Sequence, residues 1–270
     1  MTVVRNILAA LLFLIAFMIY KRKETASMLK SEKNLIPLIA YGSTLFLTQI
    51  LYMSAIEVMN AGTATVLQMI YFIYILLYEC IRGKRLPSWQ SLLGFILAMI
   101  GTVLIATQAD LSSINIPIEG LIIILIEAAC VAGYILIPKR LIAEYGSLSA
   151  TGIAMIIDAV ISIVFWIAFS NITSTELMLL DLPGMFVLIF GVGFFGTFAS
   201  FLLYMYGVGV VGSVTGGLLG AIEPVGAMAA SAIWLGTAFT GWDWVGMVFM
   251  LGMLVCVTVP SKRRESKDAG

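Results

Sequence analysis

Three carboxylates interrupt runs of the sequence that are otherwise apolar: Glu127 in "LIEAAC", Asp158 in "IIDAVIS" and Glu223 in "GLLGAIEPVGAMAAS". A charge at the centre of a bilayer costs about 2.5–3.5 kcal/mol on insertion scales, so an ionisable group at membrane depth marks binding or proton exchange by default. Gly212, Gly216 and Gly220 form a small-residue stripe at four-residue spacing, and Glu223 follows on much the same side. Pro224 has no amide proton, so the carbonyl of Gly220 is expected to lose its helical partner, giving a hinge at Gly220 and Pro224. A free backbone acceptor beside a carboxylate would suit a cation, an amine or a proton. The competing reading is structural, with Pro224 a simple hinge and Glu223 paired to a polar neighbour.

Other chemistries are poorly provided for. The chain has no histidine, and Cys80, Cys130 and Cys256 are far apart, so no metal site and no disulfide scaffold is expected. No phosphate loop or nucleophile elbow is present, so neither a cofactor nor an enzyme activity is expected. Fifteen basic and fifteen acidic residues cancel, which gives no reason to expect a nucleic-acid partner.

The elements that must position these carboxylates follow from hydropathy. The sequence is 61% hydrophobic and 11% charged. Runs of about 20 apolar residues, enough to cross about 30 Å of hydrocarbon, occur at 3–20, 36–57, 61–81, 89–107, 119–138, 149–170, 184–208, 213–235 and 242–260. The expected fold is therefore all-α and integral to a membrane, with nine transmembrane helices. Every Lys and Arg except Arg5 falls on loops that nine alternating crossings put on one side, which makes that side, and the C-terminal tail, cytoplasmic. Trp166, Trp234, Trp242 and Trp244 lie near the opposite helix ends, as an aromatic belt would.

The two halves resemble each other at an offset of 152 residues, which lays "LYMSAIEVM" at 51–59 on "LYMYGVGVV" at 203–211 and Thr63 on Thr215. The same offset sets Asn6 opposite Asp158, a polar group at equal depth in both copies. A unit of five helices is odd, so the second copy is expected to be inverted, as in secondary transporters whose site lies between the copies. The helix at 119–138 has no counterpart in the first copy, whose first helix is expected to be missing. Glu127 lies about two turns from the outer face, where it would accept a proton or gate the site, and its counterpart would stand on that missing helix.

"IRGKRLPSWQSLLGFILAMIGTVLIA" at 81–106 and "GSVTGGLLGAIEPVGAMAASAIWLGTAFTGWDWVGMVFMLGMLV" at 212–255 resemble the EamA family of the drug/metabolite transporter superfamily. The chain keeps Ile222-Glu223-Pro224, Trp89, Gly94, Gly101 and Trp242. It reads Gly83-Lys84 and Gly236-Thr237 where Gly-Glu is usual. The resemblance implies two inverted five-helix repeats, here 1–108 and 118–260, followed by a basic tail at 261–270. It also implies that Gln68, Tyr71 and Tyr204 line the cavity, although a membrane glutamine is more often an interhelical hydrogen bond and a tyrosine more often packing.

The expected function is secondary transport, in the export direction, of small organic metabolites or drugs across a bacterial inner membrane by alternating access. Its partners would be a small-molecule substrate and the bilayer, with proton coupling through Glu223, Asp158 and Glu127. The alternative is a non-transporting membrane module that regulates or assembles with a partner.

Overall fold

Apolar segments in lipid can satisfy their backbone hydrogen bonds only as helices or closed barrels, and every described element of this chain is helical. A computed structural model describes residues 2–83, 87–110, 116–169, 182–223, 225–226, 228–229, 233 and 239–258. In chain order the helices are α1 (Thr2–Tyr20), α2 (Arg22–Lys30), α3 (Glu32–Val58), α4 (Ala61–Gln68), α5 (Tyr71–Gly83), α6 (Trp89–Thr107), α7 (Ile118–Leu136), α8 (Lys139–Tyr145) and α9 (Ser147–Phe169). Then come α10 (Leu182–Phe186), a π-helical stretch at Val187–Ala199, α11 (Ser200–Val211), α12 (Ser213–Gly220) and α13 (Gly241–Thr258).

Eight spans among the described residues are long and apolar enough to cross a membrane. They agree with eight of the nine spans expected from hydropathy. The remaining one, 213–235, overlaps α12 and runs into residues outside the described set. Two basic segments expected as loops are instead the short helices α2 and α8. Each turns an apolar face inward, and Met28 and Leu141 join Phe17, Leu38, Ala150 and Ile153 in one buried cluster.

The helices gather into two compact units. The first comprises residues 1–50 and 133–211, the second 51–132 and 212–270, so each draws on both halves of the sequence.

In the first unit α1 packs along α9. Phe13 meets Phe198 edge-on with ring centroids 4.6 Å apart and planes at 60°. Phe46 meets Phe165 in the same manner, at 5.4 Å and 61°. Adding 152 to Phe13 and Phe46 gives Phe165 and Phe198, the same spacing as the offset between the two halves of the sequence.

In the second unit α6 packs along α13. Their backbones touch where Gly101 faces Gly246: a Cβ on Gly101 would lie 2.9 Å from the Gly246 carbonyl oxygen, and one on Gly246 would lie 3.0 Å from that of Gly101. No side chain fits there without displacing backbone. The ends of these helices are also tied. Thr240 and Asp243 cap α13 reciprocally, the Thr240 amide donating to Asp243 Oδ2 at 2.9 Å and the Asp243 amide to Thr240 Oγ1 at 3.3 Å. Gln108, just past α6, donates from Nε2 to Asp243 Oδ1 at 2.6 Å. The chain leaves α6 through two left-handed residues, Gln108 with φ 53° and Ala109 with φ 60°.

Candidate functional site

Two helices of the second unit are broken, at places 152 residues apart. α4 is capped by Asn60, whose Oδ1 accepts from the Thr63 amide at 2.7 Å, and it ends at Gln68. Beyond that residue the amides of Met69 and Ile70 turn to the carbonyls of Val66 and Leu67, three residues back instead of four. α12 ends at Gly220, and the amides of Ala221 and Ile222 turn in the same way to Leu218 and Leu219. These four residues stand 152 positions after Met69, Ile70, Val66 and Leu67. The tightening to 3₁₀ geometry releases one carbonyl in each helix from its amide partner, that of Thr65 in the first and that of Gly217 in the second.

The sequence expectation attributed such a break to Pro224, which itself lies outside the described residues. The first break has Phe72 at the corresponding position, and its amide donates to the Met69 carbonyl at 3.1 Å. A proline is thus not required for this geometry.

The released Gly217 carbonyl is taken by Tyr71, whose hydroxyl donates to it at 2.7 Å. Tyr71 opens α5 and is buried, so this bond clamps the start of α5 to α12. The phenol expected to line a cavity is therefore engaged with backbone.

Glu127, on α7, is fully buried. Its Oε1 accepts from Gln68 Nε2 at 2.6 Å, while Oε2 is buried without a hydrogen-bond partner. Gln68 is the last residue of α4, so the break fixes where this donor stands. Close by, the Tyr52 hydroxyl and Thr65 Oγ1 share a hydrogen bond of 2.8 Å, and Thr65 Oγ1 also donates to the Ala61 carbonyl at 2.8 Å. Tyr52 lies within electrostatic reach of both Glu127 and Glu223. The Glu223 side chain itself is exposed. The second unit thus holds two hydrogen-bonded polar pairs, Gln68–Glu127 and Tyr52–Thr65, with Tyr52 within electrostatic reach of Glu127 and of Glu223. The single basic side chain described in that unit, Arg82, sits elsewhere, donating to the Tyr78 hydroxyl at 2.9 Å near the end of α5.

Asp158 belongs to a separate network in the first unit. It is fully buried, with Oδ1 accepting from Asn6 Nδ2 at 3.2 Å and from Ser162 Oγ at 3.4 Å. Its Oδ2 accepts from Gln49 Nε2 at 3.1 Å. Gln49 in turn accepts from Arg5 NH2 at 2.5 Å, which brings a positive charge to the network. Asp158 is thus surrounded by donors, whereas Glu127 has one donor and an unpartnered oxygen. Tyr204 is half-buried on α11, also in the first unit.

Two participants, Arg5 and Tyr52, carry weak signals in the sequence. Arg5 is the one basic residue away from the basic clusters of the sequence, a signal of an internal task. Tyr52 offered no signal, since the spacing of an aromatic residue on a long apolar helix does not distinguish packing from a site. No group of three or more candidate metal ligands occurs among the described residues.

Spans long enough to cross a bilayer and buried carboxylates within them define a polytopic α-helical membrane protein with a polar interior. Residues 1–107 and 118–259 each match the EamA-like transporter family, and the chain belongs to that family. It is 29% identical over 266 residues to the uncharacterized inner membrane transporter YicL of Salmonella typhimurium (strain LT2), covering 98% of this chain and 86% of that one. It is 23% identical over 194 residues to the uncharacterized transporter YwfM of Bacillus subtilis (strain 168), covering 69% and 60% of the two chains. A crystal structure of a protein 16% identical in sequence superposes with a TM-score of 0.77 over 98% of this chain and 88% of the other, a likeness of fold.

Proposed function

We propose that this protein is a secondary transporter that exports small organic metabolites or drugs across the inner membrane by alternating access, with its C-terminus cytoplasmic. Membership of a transporter family supports the class. The nine-crossing, inverted-repeat architecture is supported by contacts that recur at the 152-residue offset: the two aromatic pairs, the two helix breaks and the Asn6–Asp158 pair. The single observation that carries coupled transport is Glu127, fully buried with one oxygen held by Gln68 and the other free. A buried acceptor with no partner is costly unless a proton or a cation visits it. Glu127 and Glu223 are the exchanging carboxyls, with Gln68 positioning the first. Asp158, compensated by Arg5 through Gln49, holds α1 against α9.

The test is counterflow and pH-gradient-driven uptake by the full-length protein in proteoliposomes, screened against a panel of labelled amino acids, amines and drug-like cations. Transport of at least one compound is expected. Glu127→Gln should abolish its dependence on the proton gradient and lower its rate by roughly tenfold or more, which corresponds to about 1.4 kcal/mol. Gln68→Ala should produce a smaller loss. An unchanged pH profile in a well-folded Glu127→Gln protein would remove that residue from the mechanism. Wild-type protein inert toward the whole panel would favour the module reading.

A further inference from the structure

The Tyr71–Gly217 bond has no identical counterpart, because the residues that would form it differ. Displacing both partners by the 152-residue offset sets Glu223 where Tyr71 stands and Thr65 where Gly217 stands. The break in α4 has released the Thr65 carbonyl in the same way that the break in α12 released that of Gly217. In one copy a phenol hydroxyl faces the orphaned carbonyl and donates to it. In the other copy the corresponding side chain is a carboxylate, which when ionised has only acceptors to offer. Its location agrees with this correspondence: Thr65 bonds Tyr52 at 2.8 Å, and Tyr52 lies within electrostatic reach of Glu223.

We propose that the Glu223 carboxylate and the Thr65 carbonyl form a two-acceptor site for one positively charged donor, a proton or a substrate ammonium, and that filling this site makes the counterpart of the Tyr71–Gly217 bond. The Tyr71 clamp is permanent. The Glu223 clamp exists only while the site is occupied, so occupancy decides whether the start of the helix after Ile222 is fastened to α4. Difference between the two copies is thereby converted into a binding signal. This inference rests on the transporter reading of the same site and adds to it the chemical class of the occupant and the contact it makes.

The surroundings favour a positive occupant. The titratable groups near Glu223 are Tyr52 on α3 and Glu127 on α7, with Tyr71 on α5 already committed to Gly217. α4 and α6 contribute no ionisable side chain. α13 contributes Asp243, which is occupied by Thr240 and Gln108, and Cys256. Arg82 is engaged with Tyr78. Glu127 Oε2 is fully buried and unpartnered, a second acceptor within electrostatic reach of Tyr52.

The experiment measures unfolding temperature of the full-length protein in detergent and needs no knowledge of the substrate. On lowering the pH from about 8 to about 4, a range that reaches the ordinary glutamate value, the wild-type midpoint is expected to rise by roughly 2–4 °C more than that of Glu223→Gln. The glutamine amide can donate to the Thr65 carbonyl at any pH. Glu223→Gln at high pH should therefore match wild type at low pH and exceed wild type at high pH, the opposite of what loss of a structural carboxylate contact would give. Glu223→Tyr, which restores the residue of the other copy, should behave likewise and guards against a glutamine-specific effect.

Butylammonium and tetramethylammonium then separate the two sources of the donor. Added at high pH, butylammonium should raise the wild-type midpoint and tetramethylammonium, which has no N–H, should not. That result assigns the site to an ammonium as well as a proton, whereas a pH response without a butylammonium response assigns it to the proton alone. If wild type and Glu223→Gln share one pH profile and neither responds to butylammonium, the proposal is overturned. Failure of the transport reading is separate: it would appear as wild-type proteoliposomes without flux while the thermal responses persist.

Discussion

Asn6 and Asp158 are 152 residues apart in sequence and joined by a hydrogen bond of 3.2 Å between Asn6 Nδ2 and Asp158 Oδ1. That separation is the offset at which the two halves of the sequence match. On the proposed repeat, Asn6 and Asp158 are counterparts, and a residue that touches its own counterpart stands beside the axis relating the copies. The paired polar groups thus sit where α1 and α9, themselves counterparts, lie against each other.

The Arg5–Gln49–Asp158 relay should behave as one unit in stability measurements. Asp158→Ala leaves the Arg5 charge with only Gln49 and takes the shared acceptor from the Asn6 and Gln49 amides, and it is expected to cost about 1–3 kcal/mol, the usual penalty for leaving buried polar partners unsatisfied. Arg5→Ala combined with Asp158→Ala should cost less than the sum of the two single changes, with a coupling of roughly 0.5–3 kcal/mol. Denaturant unfolding of the four proteins in one detergent measures the cycle. Strict additivity would show that the relay carries no energy.

Gly101 and Gly246 permit a backbone approach that no Cβ could share. Either alanine substitution is expected to destabilise the α6–α13 pair by about 1–3 kcal/mol, as overpacking does elsewhere. Gly207 provides the control, since nothing lies within 4 Å of where its Cβ would be. There alanine should be neutral, or stabilise by up to ~1 kcal/mol through the unfolded chain. Thermal melting followed by size-exclusion fluorescence distinguishes the sites.

Pro224→Ala is expected to leave transport largely intact. The break after Gln68 occurs without a proline at the corresponding position, so the geometry does not depend on one. Flux assays on Pro224→Ala beside Tyr71→Phe would decide the matter. The tyrosine change removes the bond to Gly217 and should cost activity, whereas the proline change should not. The reverse ranking would restore proline as the source of the hinge.

Ala109 holds a left-handed φ of 60° directly after Gln108. Such a conformation costs a side-chain-bearing residue about 1–2 kcal/mol, part of which glycine recovers and part of which it loses to unfolded-state freedom. Ala109→Gly should therefore raise stability by a few tenths to about 1 kcal/mol. A lowered melting temperature would mean that the Ala109 methyl group packs against something worth more than the strain.

Much of this architecture could be read from the chain, because bilayer thickness turns hydropathy into helix length. The eight spans follow from that relation alone, whereas the 152-residue register came from residue matches between the two halves. The break at Met69 could not be read, since "LQMIYFIY" contains no proline or glycine and its amides change register through tertiary contacts. The engagement of Tyr71 was hidden for the same reason: the carbonyl it satisfies exists only once α12 has broken. The helices α2 and α8 were obscured by their basic residues, which read as loop, while Met28 and Leu141 supply the buried face.

The interleaving of the two units sets an order of assembly during synthesis. Synthesis of α1 is complete at residue 20, but its partner α9 begins at Ser147. At translation rates of 5–20 residues per second, the first helix waits on the order of ten seconds for the surface it was made to meet. Throughout that interval Arg5 and Asn6 are polar groups in a nascent chain without Asp158. Gln49 arrives on α3 long before α9 does, so the Arg5–Gln49 bond is the earliest shelter for that charge. A Gln49 variant should accordingly betray itself first in membrane-insertion yield and capture by quality-control proteases, before any defect in the finished molecule.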